Sequence, residues 1–160
     1  MILLDTNLVS EVMKPKPQES VLEWLNSQNT ETLYLSTITI AEIDYGLHVL
    51  PAGKRRRMLE GRFDLFIASG FAQRVVSFDE RAARLYGELM GHRRKLGRPM
   101  SILDGQNAAI ARANRFAVAT RNVRDFERCG LEIVNPFEAQ FAVRSQEAVR
   151  SARRPPLPSS

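Results

Sequence analysis

Four acidic residues stand where parallel strands are expected to end or where the following helices begin. Asp5 directly follows the short apolar segment at positions 2–4, and Asp125 follows the fourth expected strand. Glu42 and Asp104 lie in the early turns of two expected helices. In an open parallel sheet, ligands bind beyond the carboxyl ends of the strands. We therefore expect these four side chains to converge at one edge of the sheet.

Such a cluster would have the chemistry of a cation site. Carboxylates that share one place repel one another, and without a cation their pKa values would rise. A hard divalent cation relieves the repulsion, and Mg²⁺ prefers oxygen ligands, keeps several waters and often needs only one or two carboxylates. Asp5 and Asp104 are the best candidates for direct ligands, whereas Glu42 would bind the ion or orient a water molecule.

Three of the four acids also have an ordinary structural interpretation. Asp5 could cap the first helix, because Asp is a favoured N-cap residue, and Asp125 could cap a short helical turn at 125–128. Asp104 stands three residues after a serine, which is the spacing of a capping box. Glu42 is harder to explain in this way, because its neighbours on both sides are apolar and an unpaired charge is costly to bury.

Short apolar segments that alternate with helices predict an α/β fold with a parallel sheet of about five strands. The expected strands are residues 2–4, 33–36, 74–78, 117–120 and 131–134. The first three connections should each hold two helices and the last a short one. The expected helices run from a cap at Thr6 or Asn7 to Met13, over 18–27, from 38 to near Pro51, over 54–68, from a cap at Asp79 to about Lys95, over 102–114 and over 125–128.

Length and charge indicate one domain with a basic tail. A chain of 160 residues suits a single globular domain. Residues 143–160 are rich in Pro and Ser and hold four arginines and one glutamate, so they carry +3 of the net charge of +5. We predict a domain over 1–142 and a disordered tail over 143–160. The remaining +2 is compatible with a nucleic-acid partner without demanding a large phosphate-binding face.

Three absences in the sequence indicate a cytoplasmic protein. The single cysteine, Cys129, cannot form an intramolecular disulfide. No apolar run is long enough to span a membrane. The first twelve residues lack the basic segment of a signal peptide. We therefore expect a reducing compartment and no membrane partner.

Five segments together resemble PIN domains of the VapC and FitB toxin group. They are LLDTN at the start, LSTITIAEIDYG, the helix start DGQNAAIA, ATRNVRDF and the closing VNPFE. The resemblance runs from Met1 to about Phe137. It implies a PIN-like fold and makes Asp5, Glu42 and Asp104 members of an acidic active site. Three further residues fall at positions that usually support such a site: Thr6, Asn7 and Thr120.

This chain departs from the family pattern at one position. Many relatives have an Asp two residues after the threonine of strand four, whereas this chain has Asn122. Another carboxylate, Asp125, follows three residues on. The fourth acidic position of the site is therefore open between Asn122 and Asp125.

The resemblance implies an endoribonuclease that acts as a toxin. The expected reaction is hydrolysis of an RNA phosphodiester bond, assisted by Mg²⁺ or Mn²⁺, which polarises the phosphoryl oxygen and helps to ionise a water molecule. The 2′-hydroxyl need not take part. A toxin of this group also implies a homodimer and a small antitoxin, usually encoded beside it, that blocks the active edge.

The basic residues divide into two groups. Four arginines are expected near the active edge and are the better candidates for contacts with RNA phosphates: Arg112, Arg115, Arg121 and Arg124. Residues 54–57 and 93–95 flank helices, and we expect them to form solvated faces.

Two other classes of protein compete with this interpretation. Receiver domains and haloacid-dehalogenase-like phosphatases also place an Asp after the first strand, but the phosphatases need D-x-D, and Thr6 and Asn7 follow Asp5 here. A P-loop and a GxGxxG motif are both absent, which argues against nucleotide-binding folds. The non-enzymatic alternative is a catalytically weak PIN-like module that binds nucleic acid or regulates with an antitoxin, and Asn122 is its only support. Binding of a divalent ion would discriminate between the enzyme and this non-enzymatic module, which should bind none.

Overall fold

A parallel sheet of five short strands forms the centre of the described part of the molecule. The structure is a computed structural model that describes residues 1–138. The strands are β1 (Ile2–Leu4), β2 (Leu33–Ser36), β3 (Val75–Val76), β4 (Ala117–Ala119) and β5 (Ile133–Val134). They lie in the order β3-β2-β1-β4-β5, and every neighbouring pair is parallel. The predicted α/β class and parallel sheet are confirmed.

Within residues 1–138, seven α-helices connect these strands. They are α1 (Thr6–Val12), α2 (Glu19–Ser27), α3 (Thr37–Val49), α4 (Lys54–Gly70), α5 (Glu80–Lys95), α6 (Ile102–Asn114) and α7 (Val123–Phe126). A 3-10 turn at Thr30–Thr32 precedes β2. As predicted, the first three connections each hold two α-helices and the last holds one. No helix of this part of the chain is long and apolar enough to cross a membrane.

Helices cover both faces of the sheet, which explains why the strands are apolar throughout. Successive residues of a strand point to opposite faces. Leu3 and its β4 partner Val118 pack with α5 and α6, whereas Leu4 and its partner Ala119 pack with α1 to α4. All four side chains are buried. The sheet therefore separates two hydrophobic cores, and Asp5 and Ser36 lie where its strands β1 and β2 end.

Some boundaries differ from the predictions. The two edge strands were predicted over 74–78 and 131–134, but each ladder holds only two residues. Each edge strand pairs on one side only, and beside β3 the guanidinium of Arg74 donates to the carbonyl of Leu33 where the ladder stops. The last helix spans 123–126 instead of 125–128, because the Asn122 carbonyl accepts from the Asp125 amide directly after β4.

The tail predicted over 143–160 lies outside the described residues, as do the last four residues of the predicted domain.

Candidate active site

Three of the predicted acids come together at the carboxyl edge of the sheet. Asp5 directly follows β1, Glu42 lies in the second turn of α3, and Asp104 lies in the first turn of α6. Thr6, which follows Asp5 in the chain, donates through its hydroxyl to Glu42, and the charge of Asp104 makes a small contribution that raises the pKa of both Asp5 and Glu42. These three carboxylates therefore lie at the edge of the sheet that the topology predicted, and their common role in a site stays a prediction.

Asp5 is buried and held by two side chains. Its Oδ2 atom accepts hydrogen bonds from Thr120 Oγ1 at 2.8 Å and from Asn7 Nδ2 at 3.1 Å. Burial raises the pKa of the Asp5 carboxyl above its ordinary value, these two hydrogen bonds and the Thr6 amide oppose the rise, and the charge of Asp104 adds to it. A carboxylate fixed in this way is oriented in advance for a cation.

Asp5 does not cap the first helix with its side chain. It occupies the N-cap position of α1, but its carboxylate makes no capping hydrogen bond. The prediction that Thr6 or Asn7 caps this helix is wrong, because α1 already includes both residues. Their side chains turn instead to the site. Thr6 Oγ1 donates to Glu42 and Asn7 donates to Asp5.

Glu42 is half-buried beside α1. Thr6 Oγ1 donates a hydrogen bond of 2.6 Å to its Oε2 atom. Burial raises the pKa of Glu42, the hydrogen bond from Thr6 opposes that rise, and the charges of Asp5 and Asp104 contribute to it. Glu42 is thus a carboxylate that takes up a proton more readily than an exposed glutamate.

Asp104 both supports the start of its helix and belongs to the acidic group. Ser101 is the N-cap of α6, and its Oγ atom accepts from the Asp104 amide at 3.0 Å. The same hydroxyl donates to Asp104 Oδ2 at 2.6 Å. The capping interpretation is therefore correct in part, but it does not compete with a site role, because the capped carboxylate still acts on Asp5 and Glu42.

Asn122 and Asp125 occupy the loop after β4. Asn122 is the exposed N-cap of α7 and makes no side-chain capping bond. Asp125 lies in the first turn and not at the cap, so the prediction that it caps this helix is wrong. Asp104 raises the pKa of Asp5 and Glu42, and Asp125 is not among the charges that do so. A role for Asp125 in the site stays a prediction.

A buried polar network that sequence reasoning missed joins three elements behind the acids. Ser36 at the end of β2 donates to Asn107 Oδ1 of α6 at 2.5 Å and accepts from the Thr39 amide of α3 at 2.9 Å. All three residues are almost fully buried. Since α3 carries Glu42 and α6 carries Asp104, this network fixes the two helices relative to each other. In the sequence, the only available signal was that Asn107 stands three residues after Asp104 in the same predicted helix.

A second missed residue, Glu11, braces the loop after β4. Glu11 is buried on α1 and accepts from Lys14 Nζ at 2.6 Å and from Arg121 Nη2 at 3.2 Å. The hydrogen bond from Lys14 is the main cause that lowers the pKa of Glu11, and the Arg121 charge adds to it. Arg121 also lies over the ring of Phe137 at 4.1 Å. Glu11 stands one turn after the buried Leu8, so helical periodicity placed it on the inner face.

The four arginines expected at the active edge do not all lie there. Arg121 and Arg124 follow β4 and lie at its carboxyl end. Arg115 is the C-cap of α6 and directly precedes Phe116 and β4, which places it at the opposite edge. Arg112 lies in the last turn of α6 and pairs with Glu88 at 3.3 Å. The prediction of an RNA contact near the site is therefore wrong for Arg112 and Arg115.

The set of donors fits a partly hydrated divalent cation. Among residues 1–138, no three His, Cys, Asp or Glu side chains lie close enough to ligate one ion by themselves. An ion at this edge could take one or two carboxylates, and waters and a substrate phosphate would complete its shell, which is the usual environment of Mg²⁺. Burial is the main cause that raises the pKa values of Asp5 and Glu42, and a bound cation would favour their charged forms against it.

Known protein families and relatives with similar sequences match most of this chain. The PIN domain family matches residues 2–132. The VapC ribonuclease Y4jK of Sinorhizobium fredii is 46% identical over 138 residues, which are 86% of this chain and 99% of that protein. The toxin FitB of Neisseria gonorrhoeae is 38% identical over 137 residues, 86% of this chain and 99% of that protein.

Solved structures share the fold. The crystal structure of FitAcB from Neisseria gonorrhoeae aligns with a TM-score of 0.81 at 38% identity and covers 86% of this chain and 99% of that chain. The structure of DNA-bound VapBC from Salmonella typhimurium aligns with a TM-score of 0.73 at 29% identity and covers 84% of this chain and 97% of that chain.

Proposed function

The chain belongs to the PIN domain family, and we propose that it is the toxin of a toxin–antitoxin pair, an endoribonuclease that needs a divalent metal ion. The observation that carries this proposal is the position of Asp5, Glu42 and Asp104 at one edge of the sheet, each held by a hydroxyl that donates to its carboxylate. Relatives named VapC ribonuclease and tRNA(fMet)-specific endonuclease support RNA as the substrate. Mg²⁺ is the proposed ion, and Mn²⁺ should also support cleavage in its place.

The three carboxylates would have different roles in hydrolysis. A bound divalent ion supplies polarisation of a phosphoryl oxygen and a lower pKa for a water molecule. Asp5, fixed by Thr120 and Asn7, and Asp104, fixed by Ser101, would hold that ion. Glu42 would orient the attacking water and accept its proton, which its raised pKa favours. The water oxygen bonds to phosphorus as one ester P–O bond breaks, and the departing ribose oxygen takes a proton from solvent.

Cleavage of a labelled RNA by the purified protein tests this proposal. We expect cleavage with Mg²⁺ or Mn²⁺ and none in EDTA. Cleavage that persists after thorough chelation would exclude the metal-dependent mechanism. Asp5→Asn and Asp104→Asn should each abolish cleavage and keep the fold, whereas Asp64→Asn, on the exposed surface of α4, should cleave at the wild-type rate. A near-normal rate in either site variant would remove that residue from the proposed ligands.

Titration with Mg²⁺ or Mn²⁺ in a calorimeter separates the enzyme from the non-enzymatic alternative. The alternative is a catalytically weak PIN-like module, which only the presence of Asn122 supports. Such a module should bind no divalent ion at this edge. The enzyme should bind the ion, and Asp5→Asn should weaken that binding.

We propose that the antitoxin lies in a groove that opens beside the acids. The groove has a volume of about 320 Å³, is lined by residues of α1, α3 and α4, and includes Thr6 and Glu42 in its lining. Apolar side chains line much of the rest: Met13, Ile43, Leu47 and Leu59. An antitoxin segment bound here would block access to the site. The protein encoded beside the toxin gene should inhibit RNA cleavage, and Leu59→Glu should weaken inhibition without slowing cleavage. Unchanged inhibition of this variant would place the antitoxin elsewhere.

We also propose that the toxin is a homodimer, as the family resemblance implies. Light scattering of the purified full chain should give twice the monomer mass. A monomer at micromolar concentration would contradict this part of the proposal.

A further inference from the structure

Arg93 lies in the last turn of α5 and its charged side chain is buried. The run of basic residues around it had predicted a side chain exposed to solvent. Only 3% of its surface is exposed. The prediction of a solvated face over 93–95 is therefore wrong for this residue. Its guanidinium donates to the carbonyl of Glu127 at 2.7 Å and to that of Arg124 at 3.4 Å. Its Nε atom is buried and has no partner among residues 1–138.

No carboxylate neutralises Arg93 within the described part of the chain. Its hydrogen bonds go to backbone carbonyls, and none of the ion pairs between residues 1–138 includes it. Glu127, whose backbone carbonyl accepts from Arg93, directs its carboxylate to Arg98 at 3.2 Å. A buried charge without a counter-charge is costly, and a guanidinium does not lose its proton in proteins. The arrangement therefore favours an anion that binds from outside.

An open cavity of about 420 Å³ adjoins this guanidinium. Its lining consists of Arg93, Arg98, Arg124 and Glu127, so three positive groups face one negative group. A water molecule takes about 30 Å³ of liquid volume, so the cavity has room for a phosphate group and several waters. Guanidinium groups match phosphate oxygens with paired hydrogen bonds. The shape and charge of this cavity suit a phosphate.

The cavity lies between the two loops that deliver groups to the proposed active site. Arg98 stands three residues before Ser101, which holds Asp104. Arg124 stands two residues after Asn122, whose amide donates to the Thr120 hydroxyl that holds Asp5. An anion in the cavity would thus contact both loops.

We propose that Arg93, Arg98 and Arg124 form a subsite for an RNA phosphate that lies outside the cleaved bond. This inference rests on the proposed ribonuclease function and adds a requirement to it. The substrate must extend along the sheet edge from the acids to the cavity. RNA that reaches the cavity is bound more tightly than RNA that is too short to reach it.

Binding of single-stranded RNA at several salt concentrations tests the subsite. The test uses the full chain with Asp5→Asn to prevent cleavage, and adds Arg98→Gln and Arg124→Gln together. The matched control adds Arg81→Gln and Arg84→Gln, which remove two exposed charges from the start of α5. We expect the subsite pair to weaken binding about ten-fold. The slope of log K against log salt should also become shallower by about 0.7, because one RNA phosphate is no longer neutralised. The control pair should change the slope less.

Two further measurements, of cleavage rates and of the Arg93 NMR signal, test the subsite independently of binding affinity. In the otherwise wild-type enzyme, the subsite pair should lower kcat/KM for a long RNA by a larger factor than for a dinucleotide. The NMR signal of the Arg93 Nε–H group should shift when inorganic phosphate or RNA is added to the wild-type chain. Equal effects of the subsite and control pairs, or an Arg93 signal that does not respond, would overturn the subsite while metal-dependent cleavage stood. A wild-type chain that neither binds nor cleaves RNA would instead overturn the proposed function. Binding of an acidic peptide in preference to RNA would also overturn the subsite.

Discussion

Thr120 Oγ1 donates a hydrogen bond of 2.8 Å to Asp5 Oδ2, across 115 positions of the sequence. The same hydroxyl accepts from the Asn122 amide at 2.9 Å. Thr120 is fully buried at the end of β4, next to Asp5 at the end of β1. One side chain therefore orients the most buried carboxylate of the site and also shapes the loop that follows β4.

Thr120→Val should shift the pH dependence of cleavage to higher pH. Valine keeps the volume of threonine but cannot donate, and the hydrogen bond from Thr120 lowers the pKa of Asp5. Without it the pKa rises further, so a higher pH is needed to ionise Asp5. The variant should also lose about 1–3 kcal/mol of stability, because the Asn122 amide loses its acceptor. Rates measured between pH 4 and pH 8 check the shift, with Thr37→Val on the surface of α3 as control. An unchanged acid limb would contradict this role.

Asp5→Asn should stabilise the metal-free protein at neutral pH. Because burial raises the pKa of Asp5, the folded protein binds this proton more tightly than the unfolded chain does. The resulting stability is fully present below the ordinary pKa of 3.8 and is lost as the pH rises through the folded value. Asparagine stays neutral at every pH. The melting temperatures of the two proteins should converge toward pH 3.8 and diverge above it, with the variant higher.

Divalent ions should reverse this order. Mg²⁺ or Mn²⁺ should raise the melting temperature of the wild-type protein, because the ion binds the folded state, and should leave the Asp5→Asn variant almost unchanged. The Asp64→Asn control should follow the wild type throughout. A variant that melts below the wild type at pH 7 without metal would show that the Asp5 charge does not destabilise the fold.

Glu11→Gln should destabilise the protein at neutral pH by about 1–2 kcal/mol, because a buried carboxylate that accepts from Lys14 and Arg121 becomes a neutral amide. The pKa of Glu11 is lowered, chiefly by Lys14, so its stabilising effect is present above the ordinary value of 4.5 and is lost as the pH falls through the folded value. Urea unfolding at several pH values should show the difference shrink in acid. The exposed pair of Glu80 and Arg84 provides the control, since Glu80→Gln should cost at most about 1 kcal/mol. Equal losses in both variants would deny Glu11 a special role.

The order of helices and strands, and the meeting of three acids, could be predicted from local sequence. Each strand is a short apolar run that two layers of helices bury, so its type and place are visible without the structure. Parallel strands share one carboxyl edge, so Asp5 after β1 could be expected at the same edge as the end of β4, whereas the structure shows that these two strands are neighbours. The Asp5 amide indeed donates to the Ala119 carbonyl at 3.0 Å.

The polar residues that brace the site could not be predicted in the same way. Glu11 meets Arg121 across 110 positions, and Asn107 meets Ser36 across 71. In the sequence each is one polar residue on a helix, for which a solvated position is the ordinary expectation. Arg93 stands in a run of basic residues, and only the packing of α5 against the loop after α7 separates it from its exposed neighbours. Such roles depend on which elements pack together.

Removal of residues 143–160 should weaken RNA binding modestly and leave the rate of cleavage intact. These residues carry a net charge of +3. The match to the VapC ribonuclease Y4jK covers 99% of that protein but only 138 residues of this chain. The domain that the two proteins share is therefore shorter than this chain. Loss of the positive charge should reduce the salt dependence of RNA binding. A full-length variant with its four tail arginines replaced by glutamine should behave like the truncated protein. A truncation that unfolds would show that the tail belongs to the domain.

We expect the fourth acidic position to set how strongly the site holds metal. Asn122 offers a carbonyl oxygen without charge, so three carboxylates should hold a second ion weakly. Asn122 is exposed at the N-cap of α7, where Asp is also favoured, and Asn122→Asp should therefore fold normally. We expect this variant to lower the Mg²⁺ concentration that gives half-maximal cleavage. Asp125→Asn should raise that concentration if Asp125 acts on the ion through water.

The two variants together separate a metal role of Asp125 from a helical one. Asp125 lies in the first turn of α7, where a negative charge also stabilises the helix by about 0.3–1 kcal/mol. If Asp125→Asn lowers the melting temperature and keeps the Mg²⁺ requirement, Asp125 serves the helix, and the site works with Asp5, Glu42 and Asp104 alone. If it raises the requirement and Asn122→Asp in the same chain restores it, the position needs one carboxylate that either residue can supply. Rates measured across a Mg²⁺ series for the wild type, both single variants and the double variant distinguish these outcomes.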